Sequence, residues 1–135
     1  MDQEEIIRRI ALFFEKRPEI RVCLLFGSAA ENKPIPNSSD IDIAICGKEP
    51  LMIGHLAELQ LGLSKALGRD VDLLDINRLN GVILMKVISN GIKVINNTPE
   101  LLAYHIKRML FYSEDMYPNY QMMQKSKIER FAHGR

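Results

Sequence analysis

The chain has 135 residues, of which 47% are apolar and 26% charged, the balance of one soluble globular domain rather than a disordered or fibrous chain. Eighteen Lys and Arg against seventeen Asp and Glu leave a net charge of +1, which gives no overall electrostatic case for nucleic acid or an anionic membrane. A chain of this size buries roughly two-thirds of its unfolded surface, so disulfides and structural metals are not required.

Met1-Asp2-Gln3-Glu4-Glu5 lacks the positive flank and apolar stretch of a signal peptide. The apolar runs Val22 to Phe26 and Val82 to Met85 fall far short of the ~20 residues of a membrane helix. The expectation is a cytoplasmic protein. Residues 2 to 17 place Ile6, Ile10, Phe13 and Phe14 at helical spacing before Pro18, which predicts an amphipathic helix. Ile20 to Phe26, closed by Gly27, reads as a strand. Residues 27 to 39 carry two prolines, two asparagines and three serines, and read as a loop opened by one helical turn. Asp40 to Cys46 alternates and is bounded by Gly47 and Pro50, a second strand.

From Leu51 to Leu67, apolar Met52, Leu56, Leu59, Leu63 and Leu67 predict a second helix, stopped by Gly68 and weakened by Gly54 and Gly62. Val71 to Ile76 is a third strand, Leu79 to Ser89 a short helix, and Ile92 to Ile95 a fourth strand. Thr98 as N-cap and Pro99 as first helical residue open a last long helix running to Tyr112 or beyond. Helices interleaved with strands predict an α/β (α+β) fold, a sheet of about four strands flanked by helices. The expected organisation is a single domain over 1–135, with its core at about 20–95 and a C-terminal helical segment at about 98–135. The tail from Tyr117 is Met- and Tyr-rich and then basic, which suits a solvated terminal helix or a docking surface.

Cys23 and Cys46 each lie in an apolar run and are expected as buried free thiols. His55, His105 and His133 lack clustered partners and read as surface or boundary histidines. Arg69 suits either a phosphate contact or a solvated turn, and Tyr104, Arg108 and Tyr112 suit helix packing.

The chemistry-bearing segment is Leu25-Phe26-Gly27-Ser28, followed after eleven residues by Asp40-Ile41-Asp42. Strand alternation puts Asp40 and Asp42 on one face, followed by small Ala44 and Cys46, and Ile41, Ile43 and Ile45 on the buried face. Two ionised carboxylates this close repel unless a cation or proton sits between them, and magnesium is the natural ion for hard oxygen ligands shared with phosphates. Asp72 in Asp70-Val71-Asp72-Leu73-Leu74-Asp75 joins them if its strand lies alongside. That inventory suits two-metal phosphoryl or nucleotidyl transfer. Gly27-Ser28, directly off a strand, lets backbone approach a phosphate closely. A Gly-Ser alone marks only a turn, and an Asp-x-Asp alone only a solvated strand edge; their order along the chain carries the inference.

Through Phe26-Gly27-Ser28, Ser39-Asp40-Ile41-Asp42-Ile43 and Val71-Asp72-Leu73-Leu74, the chain resembles the nucleotidyltransferase superfamily of DNA polymerase beta and the aminoglycoside nucleotidyltransferases. More closely, it resembles the minimal nucleotidyltransferase (MNT) antitoxins paired with HEPN ribonuclease toxins, over about Ile20 to Ile95. The resemblance implies a nucleotidyltransferase fold with a mixed sheet. It implies that Gly27 and Ser28 hold the triphosphate of ATP and that Asp40, Asp42 and Asp72 are catalytic and ligate two magnesium ions, with Asp72 helping to deprotonate the acceptor. It further implies AMP transfer to a tyrosine of a HEPN toxin, in a hetero-oligomer, with no direct contact to nucleic acid or membrane. The alternatives are a nucleotidyltransferase of small molecules such as aminoglycosides and a non-catalytic antitoxin that acts by binding alone. Such relatives often carry arginines and a second glycine after Gly-Ser, whereas this chain has Ala29-Ala30-Glu31-Asn32, with Lys33 the first basic residue. The Arg-x4-His spacing of a HEPN ribonuclease is absent, which assigns ribonuclease activity to the partner.

Overall fold

The computed structural model describes residues 1–112; the tail from Tyr117, read as a solvated terminal helix or a docking surface, and His133 lie outside them. Helix α1 (Gln3–Phe14) is capped by Asp2, whose carboxylate accepts from the Glu5 N–H at 2.9 Å. Strand β1 (Val22–Phe26) passes into a 3₁₀ turn at Gly27–Ala30, the single helical turn expected there. Then follow β2 (Ile41–Cys46), α2 (Ile53–Leu67), β3 (Val71–Asp75), α3 (Gly81–Asn90), β4 (Ile92–Asn96) and α4 (Pro99–Phe111).

The four strands form one mixed sheet in the order β3-β2-β1-β4. β1 pairs antiparallel with β2 and β4, and β2 pairs parallel with β3. Alternation sends Cys23 and Leu25 of β1, and Ile41, Ile43 and Ile45 of β2, into a core beneath α1 and α2. Val22, Leu24, Phe26, Ala44 and Cys46 face a second core beneath α3 and α4. The sheet is covered on both sides, as a parallel pair requires. Cys23 and Cys46 are free, buried and on opposite faces, which precludes a bond between them. Burial pushes the Cys46 thiol up to about 12, with Asp75 adding to it.

Several sequence expectations are corrected by packing. Met52 belongs to no apolar stripe: it precedes α2 and is 78% exposed, while Leu51 is the buried residue. Gly62 is a close-approach position rather than a weakness, because a Cβ there would lie 2.9 Å from the Phe13 ring of α1. Gly68 ends α2 at φ +67, as expected of a left-handed cap. Helix α3 starts at Gly81, not Leu79. Thr98 is the N-cap of α4 through its carbonyl, which accepts from the Leu101 N–H at 2.9 Å, while its hydroxyl makes no cap bond and instead accepts from Arg21 at 3.5 Å. The acidic side of β2 is not open along its length, since Ala44 and Cys46 are fully buried under α3 and α4. Among the described residues no helix is long and apolar enough to cross a membrane.

Candidate active site

Ile41, Ile43 and Ile45 are fully buried. Burying each stabilises the fold by roughly 1.5–3 kcal/mol, and a one-residue slip would reverse every side chain of the strand. The same three residues therefore force Asp42 onto the opposite face. The parallel pairing of β2 with β3 sets Ile41 beside Val71 and Asp42 beside Asp72. The two aspartates thus stand on adjacent strands about 4.8 Å apart. The neighbourhood that the sequence left open is present.

Asp42 also lies opposite Phe26, the last residue of β1, so the turn that follows comes directly over it. Gly27 takes φ +69, and a Cβ on it would fall 3.0 Å from Cγ of Asp42 and nearer still to Oδ2. Only glycine leaves that room. Gly27 and Ser28 are half-buried beside the carboxylates, and Ala29 is fully buried.

Asp40 precedes the strand, which begins at Ile41, and is exposed. Its position is set by the loop behind it. Arg69 donates one guanidinium nitrogen to the carbonyls of Pro36 at 2.5 Å and Ser39 at 2.6 Å. Arg69 is therefore a clasp on the 31–39 loop. On the other side, the Ile41 N–H donates to the Asp70 carbonyl at 2.9 Å, tying the start of β2 to the start of β3.

Burial, then the charges of Asp72 and Asp40, push the Asp42 carboxyl above the ordinary range, while Lys86 pulls the other way. A site in which one carboxylate is raised by two others favours a cation. As the side chains stand, no three carboxylate, histidine or cysteine groups among the described residues converge closely enough to hold an ion by themselves. Asp42 and Asp72 are two hard oxygen donors side by side, which suits magnesium, an ion that completes its shell with water and phosphate oxygens. The donor set fits. Asp75, on the opposite side of β3, is excluded from it: its carboxylate accepts from the N–H of Leu51 at 2.8 Å and of Asn77 at 3.0 Å.

Sequence reasoning missed two residues here. Lys86, on α3, is a lone lysine in an apolar helix and gave no motif to recognise. His105 was expected at the surface or boundary but is 1% exposed, packed beside Arg108. His55 is half-exposed and lies 3.5 Å from Glu19, in keeping with a surface role.

The family described as Polymerase beta, Nucleotidyltransferase matches residues 8–100. The chain belongs to this family. The nucleotidyltransferase resemblance read from Phe26-Gly27-Ser28, Asp40-Ile41-Asp42 and Val71-Asp72-Leu73 therefore holds, as does the mixed four-stranded sheet. This nucleotidyltransferase is 29% identical over 103 residues to the protein adenylyltransferase MntA of Shewanella oneidensis, across 76% of this chain and 73% of that one. It is 32% identical over 89 residues to a putative protein adenylyltransferase of Methanocaldococcus jannaschii, across 66% of this chain and 90% of the relative. A toxin–antitoxin crystal structure with AMP-PNP is similar to it with a TM-score of 0.68 and 26% identity, covering 91% of this nucleotidyltransferase and 95% of that chain. The fold is also shared with a structure of tri-AMPylated Shewanella oneidensis HEPN toxin in complex with MNT antitoxin, at a TM-score of 0.65 and 24% identity over 94% of this chain and 96% of that one.

Proposed function

We propose that this nucleotidyltransferase is a magnesium-dependent protein adenylyltransferase that acts as an antitoxin: it transfers AMP from ATP to a tyrosine of a cognate HEPN ribonuclease toxin and so silences it. The observation that carries the reading is the pairing of Asp42 with Asp72 under the Gly27 turn. The relatives named as protein adenylyltransferases and the toxin–antitoxin structure with AMP-PNP support the choice of acceptor class and nucleotide.

In the reaction, the tyrosine oxygen attacks the α-phosphorus in line, and the bond to the bridging oxygen breaks, its electron pair leaving with pyrophosphate. Asp40, Asp42 and Asp72 would hold magnesium, which when bound offsets the charge that builds on the phosphate oxygens. Gly27 admits the triphosphate close to backbone, where amide N–H groups and the Ser28 hydroxyl can donate to it. Asp72, exposed at the edge strand, would accept the phenolic proton as the new bond forms. Rigid elements hold these groups: β2 and β3 by their ladder, the turn by the buried Ala29. The whole chain is proposed to act as one minimal domain bound to its toxin. Its two buried free thiols suit a reducing cytoplasm.

The test is incubation of the chain with labelled ATP, magnesium and the co-encoded HEPN protein. Label on a toxin tyrosine, lost in an Asp40→Ala, Asp42→Ala double variant, is the expected result. Protection of RNA that survives this change, with no label at any stage, would show neutralisation by occlusion instead.

A further inference from the structure

The Gly27 turn lacks the positive charge that a triphosphate calls for. Ala29 and Ala30 follow Ser28, and then Glu31 takes up Lys33 in an ion pair at 2.9 Å. Three arginines around the sheet hold backbone carbonyls. Arg69 clasps the 31–39 loop. Arg78 donates to the Leu51 carbonyl, and Arg108 to those of Ile76 and Leu79.

Lys86, on α3, is not held in this way. It is exposed, and no ion pair or hydrogen bond engages its amine among the described residues. Its placement follows from α3, which lies on the carboxylate side of the sheet. Leu84 and Val87 pack into the same core as Ala44 and Cys46, the residues that continue the Asp42 face of β2. Gly91, just past the helix, sits so close to β1 that a Cβ there would be 3.1 Å from Cβ of Leu24. The helix also touches the 27–30 turn. The helix therefore lies along the same mouth, and the charge of Lys86 reaches Asp42.

We propose that Lys86 is a nucleotide-binding residue: its ammonium, held by no ion pair or hydrogen bond among the described residues, engages the β- and γ-phosphates of ATP and balances the charge of departing pyrophosphate. This rests on the adenylyltransferase reading above. The physical need is plain, since three carboxylates and a triphosphate remain net negative even with two divalent ions among them. One mobile cation on a flexible four-carbon stem lowers the cost of bringing the nucleotide in.

Calorimetric titration of the full chain with magnesium and AMP-PNP, and separately with AMP, tests this. Lys86→Ala should weaken AMP-PNP binding by about 10- to 100-fold, the loss of one charge-assisted contact, and leave AMP binding within about twofold. Lys86→Arg should recover most of the loss, with melting temperatures unchanged throughout. Equal binding of AMP-PNP by wild type and Lys86→Ala would overturn the inference alone. So would a parallel loss for AMP and AMP-PNP, which would place the effect in the carboxylates rather than the phosphates. A wild-type chain that binds no AMP-PNP would overturn both the inference and the reading beneath it.

Discussion

Gly27 and Asp42 compete for one volume: the space a side chain at position 27 would need is filled by the carboxylate of residue 42. The two residues come from antiparallel neighbours, β1 ending at Phe26 directly opposite Asp42. The first prediction follows from this. Gly27→Ala adds a methyl that must push Asp42 aside, and it also imposes a left-handed φ on a residue that disfavours it. Stability should fall by about 1–3 kcal/mol, and AMP transfer should fall by at least 100-fold. A melting curve and a labelled-ATP assay on the same preparation separate the two effects. Activity that drops only as far as the folded fraction would argue against a direct role for the turn.

Asp42 itself should cost the fold stability. Its carboxyl is pushed upward by burial, by Asp72 and by Asp40. A carboxylic acid whose folded value exceeds the unfolded one binds its proton more tightly when folded, so its ionisation opposes folding. That penalty is absent below the unfolded value of about 3.9 and complete above the raised value. Asp42→Asn should therefore raise the melting temperature at pH 7 without divalent ions by a few degrees while abolishing transfer. The gain should vanish near pH 3. A variant less stable than wild type at pH 7 would contradict the electrostatic account.

Magnesium should reverse that order. An ion that binds only the folded site stabilises by mass action, in proportion to the logarithm of its concentration over the dissociation constant. Raising magnesium should lift the wild-type melting temperature, and chelator should restore it. The Asp42→Asn, Asp72→Asn pair should not respond. An equal shift in both proteins would mean the ion acts elsewhere.

How much of this was readable beforehand depends on range. The alternation of Ile41, Ile43 and Ile45 with Asp42 is local, and a strand's period of two made the carboxylate face legible. Whether Asp72 stood beside it required strand order, which no local pattern encodes. Gly62 read as a defect in α2 because its reason, the Phe13 ring, lies on another helix. His105 read as a boundary residue because a lone polar residue in a helix gives no hint that α4 lays it against the sheet. Arg69 was ambiguous because its partners are carbonyls of an irregular loop, which have no sequence signature.

Arg69 supplies a prediction of its own. Both carbonyls it holds belong to the segment leading into Asp40. Arg69→Ala removes the clasp but leaves those carbonyls to water, so global stability should fall by only about 1 kcal/mol. Amide hydrogen exchange across residues 37 to 40 should quicken, and AMP transfer should drop by about tenfold as Asp40 loses its fixed position. Unchanged exchange in this stretch would show that the loop is held by other contacts.

Buried His105 and its half-buried neighbour Arg108 link acid pH to the same helix that carries Lys86. The His105 Nδ1 accepts from Arg108 Nε at 3.2 Å, and its Nε2 meets no partner among the described residues. Burial, and then the charge of Arg108, pull its pKa down to about 4, with Asp75 opposing in part. A histidine whose folded value lies below its unfolded value of about 6.5 favours folding only while neutral. Its contribution is complete above pH 6.5 and is lost progressively as pH falls towards 4. Protonation would also set two positive charges together where Arg108 holds the carbonyls of Ile76 and Leu79, the connection that leads from β3 into α3. The urea midpoint of the wild type should therefore fall between pH 6.5 and 4.5, and AMP transfer should fall with it. His105→Gln keeps an acceptor for Arg108 but cannot take the proton, so its midpoint should change less over that interval, by a slope of up to about 1.4 kcal/mol per pH unit. Identical pH profiles for the two proteins would remove His105 as the source of acid sensitivity.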